Sequence, residues 1–157
     1  MYKTILILIC IFILICIYLS HNINTLEIAQ YTIKNKKIPK EFDGYNIVQI
    51  SDLHSKSFGK NNIKLLQKIK SLNPDIIVIT GDLVDGENNN YDIALNFMKE
   101  LTKLYKVYYI IGNHEQKALI KKYKQEYIKY FEELNQIDFI NLDDDKVKIQ
   151  KNNSEIN

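Results

Sequence analysis

The sequence predicts an α/β fold built on a parallel sheet, and two observations carry that prediction. Short, β-branched apolar runs (Asn46–Ile50, Ile76–Thr80 and Val107–Ile111) alternate with longer segments whose apolar residues recur at helical spacing. Each run is apolar nearly throughout, as a strand covered on both faces must be, rather than alternating apolar with polar residues.

The elements follow in chain order. From Ile5 to Leu19 every residue is apolar, Cys or Tyr. With Thr4 and Ser20 the stretch reaches about 17 residues, near the lower limit for a membrane span. It ends Ile17-Tyr18-Leu19-Ser20-His21, without the small residues that mark a signal-peptidase site, so residues 1–21 are expected to be an uncleaved transmembrane anchor. Lys3 precedes the run and Lys34, Lys36, Lys37 and Lys40 follow it at a distance, a pattern that leaves the orientation open. Leu26–Ile33 has the length and apolar content of an edge strand. After the first run, Ile63, Leu66 and Ile69 predict a helix that Pro74 ends. After the second, Ile93, Phe97, Leu101 and Leu104 predict another. A third is expected to carry Ile120, Tyr123, Tyr127, Phe131 and Leu134. Ile137–Asn141 and Lys146–Gln150 then read as a hairpin around a solvated acidic turn, Asp143-Asp144-Asp145. Residues 22–157 are therefore expected to form one α/β unit behind the anchor.

Composition narrows the chemistry. A chain of 157 residues with 46% hydrophobic and 25% charged residues, 5 Gly and 2 Pro is a folding composition, not a disordered one. Its 21 basic residues are all Lys, set against 19 acidic ones, so the chain lacks the concentrated charge and the Arg fork of a nucleic-acid footprint. Both cysteines, Cys10 and Cys16, lie in the N-terminal apolar run, which excludes a disulfide framework elsewhere. No G-x-G-x-x-G follows any predicted strand, which weighs against a dinucleotide-binding domain.

In a parallel sheet, functional side chains collect in the loops at the carboxyl ends of the strands. Those loops read Ser51-Asp52-Leu53-His54, Gly81-Asp82-Leu83-Val84-Asp85-Gly86 and Gly112-Asn113-His114-Glu115. Asp52 and His54, two residues apart in an extended loop, can aim a carboxylate and an imidazole at one cation. Asp82 follows a glycine that lets the backbone turn its carboxylate over the sheet, where it could bridge two cations; Asp85 could equally cap a helix. Asn113 offers an amide oxygen and His114 an imidazole. Singly each motif reads as an ordinary turn. Their conjunction is informative, because 28 positions separate His54 from Asp82 and 31 separate Asp82 from Asn113, about one β-α unit each time.

The ordered set D-x-H, G-D-x-x-D and G-N-H-E resembles the calcineurin-like metallophosphoesterase superfamily. The fuller strings SDLHSKSFGKNN, PDIIVITGDLVDG and GNHE resemble its membrane-associated bacterial branch. That resemblance implies the N-terminal half of an α/β sandwich and metal-dependent hydrolysis of a phosphomonoester or phosphodiester by a two-metal site. It implies Asp52 and His54 on a first metal, Asp82 bridging, Asn113 on a second, and His114 protonating the leaving oxygen with Asp85 orienting its ring. The two divalent ions could be Mn, Fe, Zn or Ni, and the domain is expected outside the cytoplasm.

The family completes its site with a later His and a G-H-x-H motif, and this chain has neither, since its 3 histidines are His21, His54 and His114. The second metal site is therefore expected to be incomplete, and the chain to be a truncated product, a frameshift or a fragment. The competing expectation is a non-catalytic, membrane-tethered α/β module with weak metal or partner binding.

Overall fold

A computed structural model describes residues 2–23, 25–87, 90–120 and 124–157. It divides into two units, Met1–Ile33 and Lys34–Asn157.

In the first unit, an unbroken run without Pro or Gly forms helix α1, Tyr2–Ile23, whose apolar side chains are exposed as far as they are described, to Tyr18. The expectation of a membrane-spanning anchor is not met: among the described residues no helix is long and apolar enough to cross a membrane. His21 lies where no side chain is described. The edge strand expected over Leu26–Ile33 is also absent, and Tyr31 and Ile33 are exposed.

The second unit carries the predicted sheet. A 3-10 turn, Lys40–Phe42, buries Phe42, whose ring meets that of Tyr45 edge to face at 5.1 Å. Strands β1 (Ile47–Ile50), β2 (Ile76–Ile79), β3 (Val107–Tyr109) and β4 (Ile140–Asn141) then form one sheet in the order β1-β2-β3-β4, every neighbour parallel. Parallel neighbours require crossovers. These are α2 (Ile63–Ser71), α3 (Tyr91–Thr102), and the pair α4 (Asn113–Ala118) and α5 (Lys124–Leu134). The core sits where α3 and α5 meet the sheet. Ile77 and Ile79 from β2 are fully buried, as are Ala94, Phe97, Met98 and Leu101 from α3 and Tyr127 and Tyr130 from α5. The ring of Tyr91 lies 6.0 and 5.8 Å from those of Tyr127 and Tyr130.

Helical periodicity located the helices but overran their ends. Leu104 and Ile120 lie beyond α3 and before α5 and are 57% and 82% exposed; Tyr123 falls outside the described residues. The expected hairpin is corrected as well. Its first arm forms as β4, but it adds to the sheet beside β3, with Tyr108 opposite Ile140, since parallel pairing there satisfies the edge left by β3. The hairpin forms later, between β5 (Ile149–Lys151) and β6 (Ser154–Ile156), turning at Asn152, which takes the left-handed φ of +54° that Asn tolerates. Nor is the acidic turn simply solvated. Oδ1 of Asp143 accepts the N–H of Ile111 at 2.9 Å, closing off the end of β3.

Candidate metal centre

The first two strand-end loops continue the β1–β2 pairing in altered form. The N–H of Asp52 donates to the carbonyl of Gly81 (3.3 Å), His54 to Asp82 (2.9 Å) and Ser55 to Leu83 (2.9 Å). Asp52, His54, Ser55 and Asp82 all adopt left-handed φ between 49° and 55°, a conformation that costs a non-glycine residue about 1–2 kcal/mol and persists only where its surroundings enforce it. The loop after β3 is pressed against the loop after β2 through glycines. Gly81, at φ +94°, lies so close to Gly112 that a Cβ on it would meet the Gly112 Cα at 2.6 Å. A Cβ on Gly112 would strike Oδ1 of Asp82 at 2.2 Å.

This backbone arrangement gathers three side chains. Donor atoms of His54, Asp82 and His114 all lie within 4.8 Å of one another. The two imidazole rings stand edge to face, with centroids 4.5 Å apart. Two ligands on opposite sides of one cation sit at most about 4.2–4.4 Å apart, so these donors need to close by only a few tenths of an ångström. The chemistry of the set fits a divalent ion: two imidazoles and a carboxylate suit a hard or borderline metal. Nδ1 of His54 is buried and makes no hydrogen bond, as a nitrogen meant for a ligand would be.

The surrounding residues fix these three. The backbone N–H of His114 donates to Oδ1 of Asp82 at 2.9 Å. Asn113, with its amide nitrogen turned toward Asp82, donates to Oδ2 at 3.1 Å and accepts from Nζ of Lys117 at 3.1 Å. Nδ1 of His114 faces the backbone carbonyl of Asp85 at short range, with Oδ1 of Asp85 at 3.6 Å. A proton held at Nδ1 leaves the lone pair on Nε2. Asp52 stands at the rim, its side chain 66% exposed, with Oδ1 3.8 Å from Nε2 of His54 and Oδ2 accepting from the Ser51 hydroxyl. It is not among the three donors that converge.

A family model described as calcineurin-like phosphoesterase matches residues 45–155, which include all of these loops. The chain belongs to the calcineurin-like phosphoesterase family. Members of this family are metal-dependent hydrolases that act on phosphoesters. Over 94 residues the chain is 34% identical to an uncharacterized metallophosphoesterase of Bacillus subtilis, covering 57% of this chain and 33% of that protein. A probable glycerophosphodiester phosphodiesterase of Arcobacter nitrofigilis is 34% identical over 110 residues, 60% of this chain and 38% of the relative. A Danio rerio protein named as a transmembrane protein with a metallophosphoesterase domain is 26% identical over 91 residues, 57% and 21% of the two chains. The match thus covers between about a fifth and two fifths of the length of these relatives.

Two features of this candidate site escaped the sequence reading. Glu115, fully buried, was visible only as the last letter of a motif. Its position three residues after Gly112, the residue before α4, is the Glu half of a capping box, without a side chain at Gly112 to complete it, and could have revealed its backbone-binding role. Tyr127, read as a core residue, receives the N–H of Gly86 on its hydroxyl at 3.0 Å and so braces the Asp85 loop from α5. No local pattern announces a bond across 41 residues. Around Glu115, the phenols of Tyr109 and Tyr130 are pushed well above the usual tyrosine range, first by burial and then by the nearby negative charge of Glu115 and by neighbouring phenols. Neither hydroxyl makes a well-formed hydrogen bond, although they lie close enough to each other and to Glu115 to feel that charge.

Proposed function

We propose that this chain carries a metal-dependent phosphoester hydrolase site in which His54 and Asp82 hold the cation and His114 handles the proton of the leaving group. The observation that carries the reading is the convergence of His54, Asp82 and His114 donors within 4.8 Å at the carboxyl ends of adjacent parallel strands. A bound divalent ion would supply Lewis acidity toward a phosphoryl oxygen and an acidified water. The side chains supply the rest. Asp52 can rotate inward from the rim to join His54, to which it already lies at 3.8 Å. Asn113 would serve as a ligand for a second ion only after its amide oxygen, which faces Nζ of Lys117, turns toward Asp82. With only Asp82 and Asn113 from this chain, that second ion would be held weakly, because water would fill most of its shell.

His114 is assigned to proton transfer because two oxygens of Asp85 face its Nδ1. They orient the ring and stabilise the imidazolium, so that Nε2 can present a proton to a departing oxygen. The substrate class is a phosphomonoester or phosphodiester.

The experiment separates ligand from acid. Mn²⁺ binding to the full chain is measured by calorimetry, and hydrolysis of p-nitrophenyl phosphate and bis(p-nitrophenyl) phosphate is followed by absorbance. About one tight Mn²⁺ per chain is expected, with Asp82→Asn and His54→Ala abolishing tight binding and His114→Ala keeping it while losing turnover. If His114→Ala weakens Mn²⁺ as much as Asp82→Asn does, His114 is a ligand and its assignment as proton donor fails.

A further inference from the structure

We propose that Glu115, which touches neither substrate nor cation, is the positioning residue of this site: its buried carboxylate clamps the loops after β2 and β3 into the geometry that brings Asp82 and His114 together. The inference rests on the metal reading given above for the meaning of that geometry, but the clamp itself stands on observed contacts. Oε1 accepts the N–H groups of Leu83 (2.6 Å) and Val84 (3.2 Å), and Oε2 accepts those of Asp82 (2.9 Å) and Gly112 (2.9 Å). Four backbone donors from two loops therefore end on one side chain that is wholly removed from solvent. No Lys approaches it among the described contacts, so these amide dipoles are what offset the cost of burying a carboxylate.

The position of the clamp explains the strained backbone. Asp82 sits at φ +52°, and the three consecutive N–H groups of Asp82, Leu83 and Val84 can point at one anion only because the chain turns there. The same carboxylate reaches the Gly112 N–H, immediately before Asn113 and His114. Pulling on either loop moves a proposed ligand or the proposed acid. The carboxylate is also specific in a way no amide can match. Gln at 115 has one acceptor oxygen and one donor nitrogen, so whichever way it turns, one pair of N–H groups faces an NH₂. Two of the four bonds are then lost while the side-chain volume is unchanged: either Asp82 and Gly112, which severs the link between the loops, or Leu83 and Val84, which loosens the loop after β2.

The test compares Glu115→Gln with the parent full chain by Mn²⁺ calorimetry, far-UV circular dichroism and amide hydrogen exchange. Glu115→Gln is expected to keep the secondary structure, to bind Mn²⁺ about tenfold more weakly or worse, and to lose protection at one pair of amides, either Asp82 and Gly112 or Leu83 and Val84. Glu41→Gln, an exposed acidic change remote from these loops, is expected to leave Mn²⁺ affinity within twofold of the parent. The parent alone supplies an independent measurement: the amides of Asp82, Leu83, Val84 and Gly112 should exchange slowly and as one group. Should Glu115→Gln fail to fold, that exchange pattern still decides the matter, and fast, uncorrelated exchange at these amides overturns the clamp. A folded Glu115→Gln with parental Mn²⁺ affinity also overturns it. If the parent binds no Mn²⁺ while the four amides are protected together, the metal reading fails and the clamp survives.

Discussion

Replacing Gly81 by Ala tests the idea that two backbones in contact build this site. Two costs arise at that position. A φ of +94° disfavours any residue with a Cβ by about 1–2 kcal/mol. The added Cβ would also lie 2.6 Å from the Cα and 2.7 Å from the N of Gly112, atoms that cannot swing aside as a side-chain tip can. Restoring ordinary contact means shifting one loop by nearly an ångström, an overpacking cost of about 1–3 kcal/mol. Gly81→Ala should therefore destabilise the chain by about 2–5 kcal/mol. Gly44→Ala is the matched control: its φ is +72°, but nothing lies within 4 Å of the new Cβ, so only the conformational cost of about 1–2 kcal/mol applies. Urea unfolding followed by far-UV circular dichroism measures both, and Mn²⁺ calorimetry should show weakened binding for Gly81→Ala alone. Equal destabilisation by the two variants, within about 0.5 kcal/mol, would refute the claim that the close approach of Gly81 and Gly112 matters.

Further outcomes follow from the same contacts. Saturating Mn²⁺ at about 100 times its dissociation constant should stabilise the parent by about 2.7 kcal/mol in thermal unfolding and leave Asp82→Asn unmoved; a parental shift in Asp82→Asn would exclude Asp82 as a ligand. Because the Tyr109 and Tyr130 phenols are held above their ordinary value of 10.0, the folded chain keeps protons that the unfolded chain releases. Their stabilising effect is fully present below pH 10 and is lost progressively as pH rises above it, so unfolding free energy should fall above pH 10, and more gently in Tyr130→Phe. At neutral pH, Tyr130→Phe removes a buried hydroxyl that lacks a hydrogen bond and should change stability by less than about 1 kcal/mol; a loss of several kcal/mol in chemical denaturation would show that the hydroxyl has a partner. Asp143→Ala should cost about 1 kcal/mol through the orphaned Ile111 N–H, and Asp143→Asn, which keeps an acceptor, should recover most of it in the same assay.

Local pattern sufficed for the elements that bury their side chains in register. Three apolar runs and the helices between them could be read directly, because burial on both faces of a parallel strand forces a continuous apolar string, as in Ile76–Ile79. The family motifs were equally legible, since Asp52, His54, Asp82, Asn113 and His114 all lie just past strand ends, where the topology of a parallel sheet must deliver them. Pairing partners were not legible. Ile140–Asn141 carries nothing that distinguishes a hairpin arm from a fourth parallel strand, and the choice fell to the open edge of β3. Nor could spacing say which side chains converge: Asp52 and His54 share one loop, yet His54 turns in while Asp52 stays 66% exposed. Both positions are held in left-handed backbone by bonds to Gly81 and Asp82 of the neighbouring loop, contacts that spacing does not announce. Three strands of the sheet, the helices between them and the family were legible in the chain; that one buried carboxylate, Glu115, ties together loops 32 residues apart was not, because hydrogen bonds between distant segments exist only once the chain has folded.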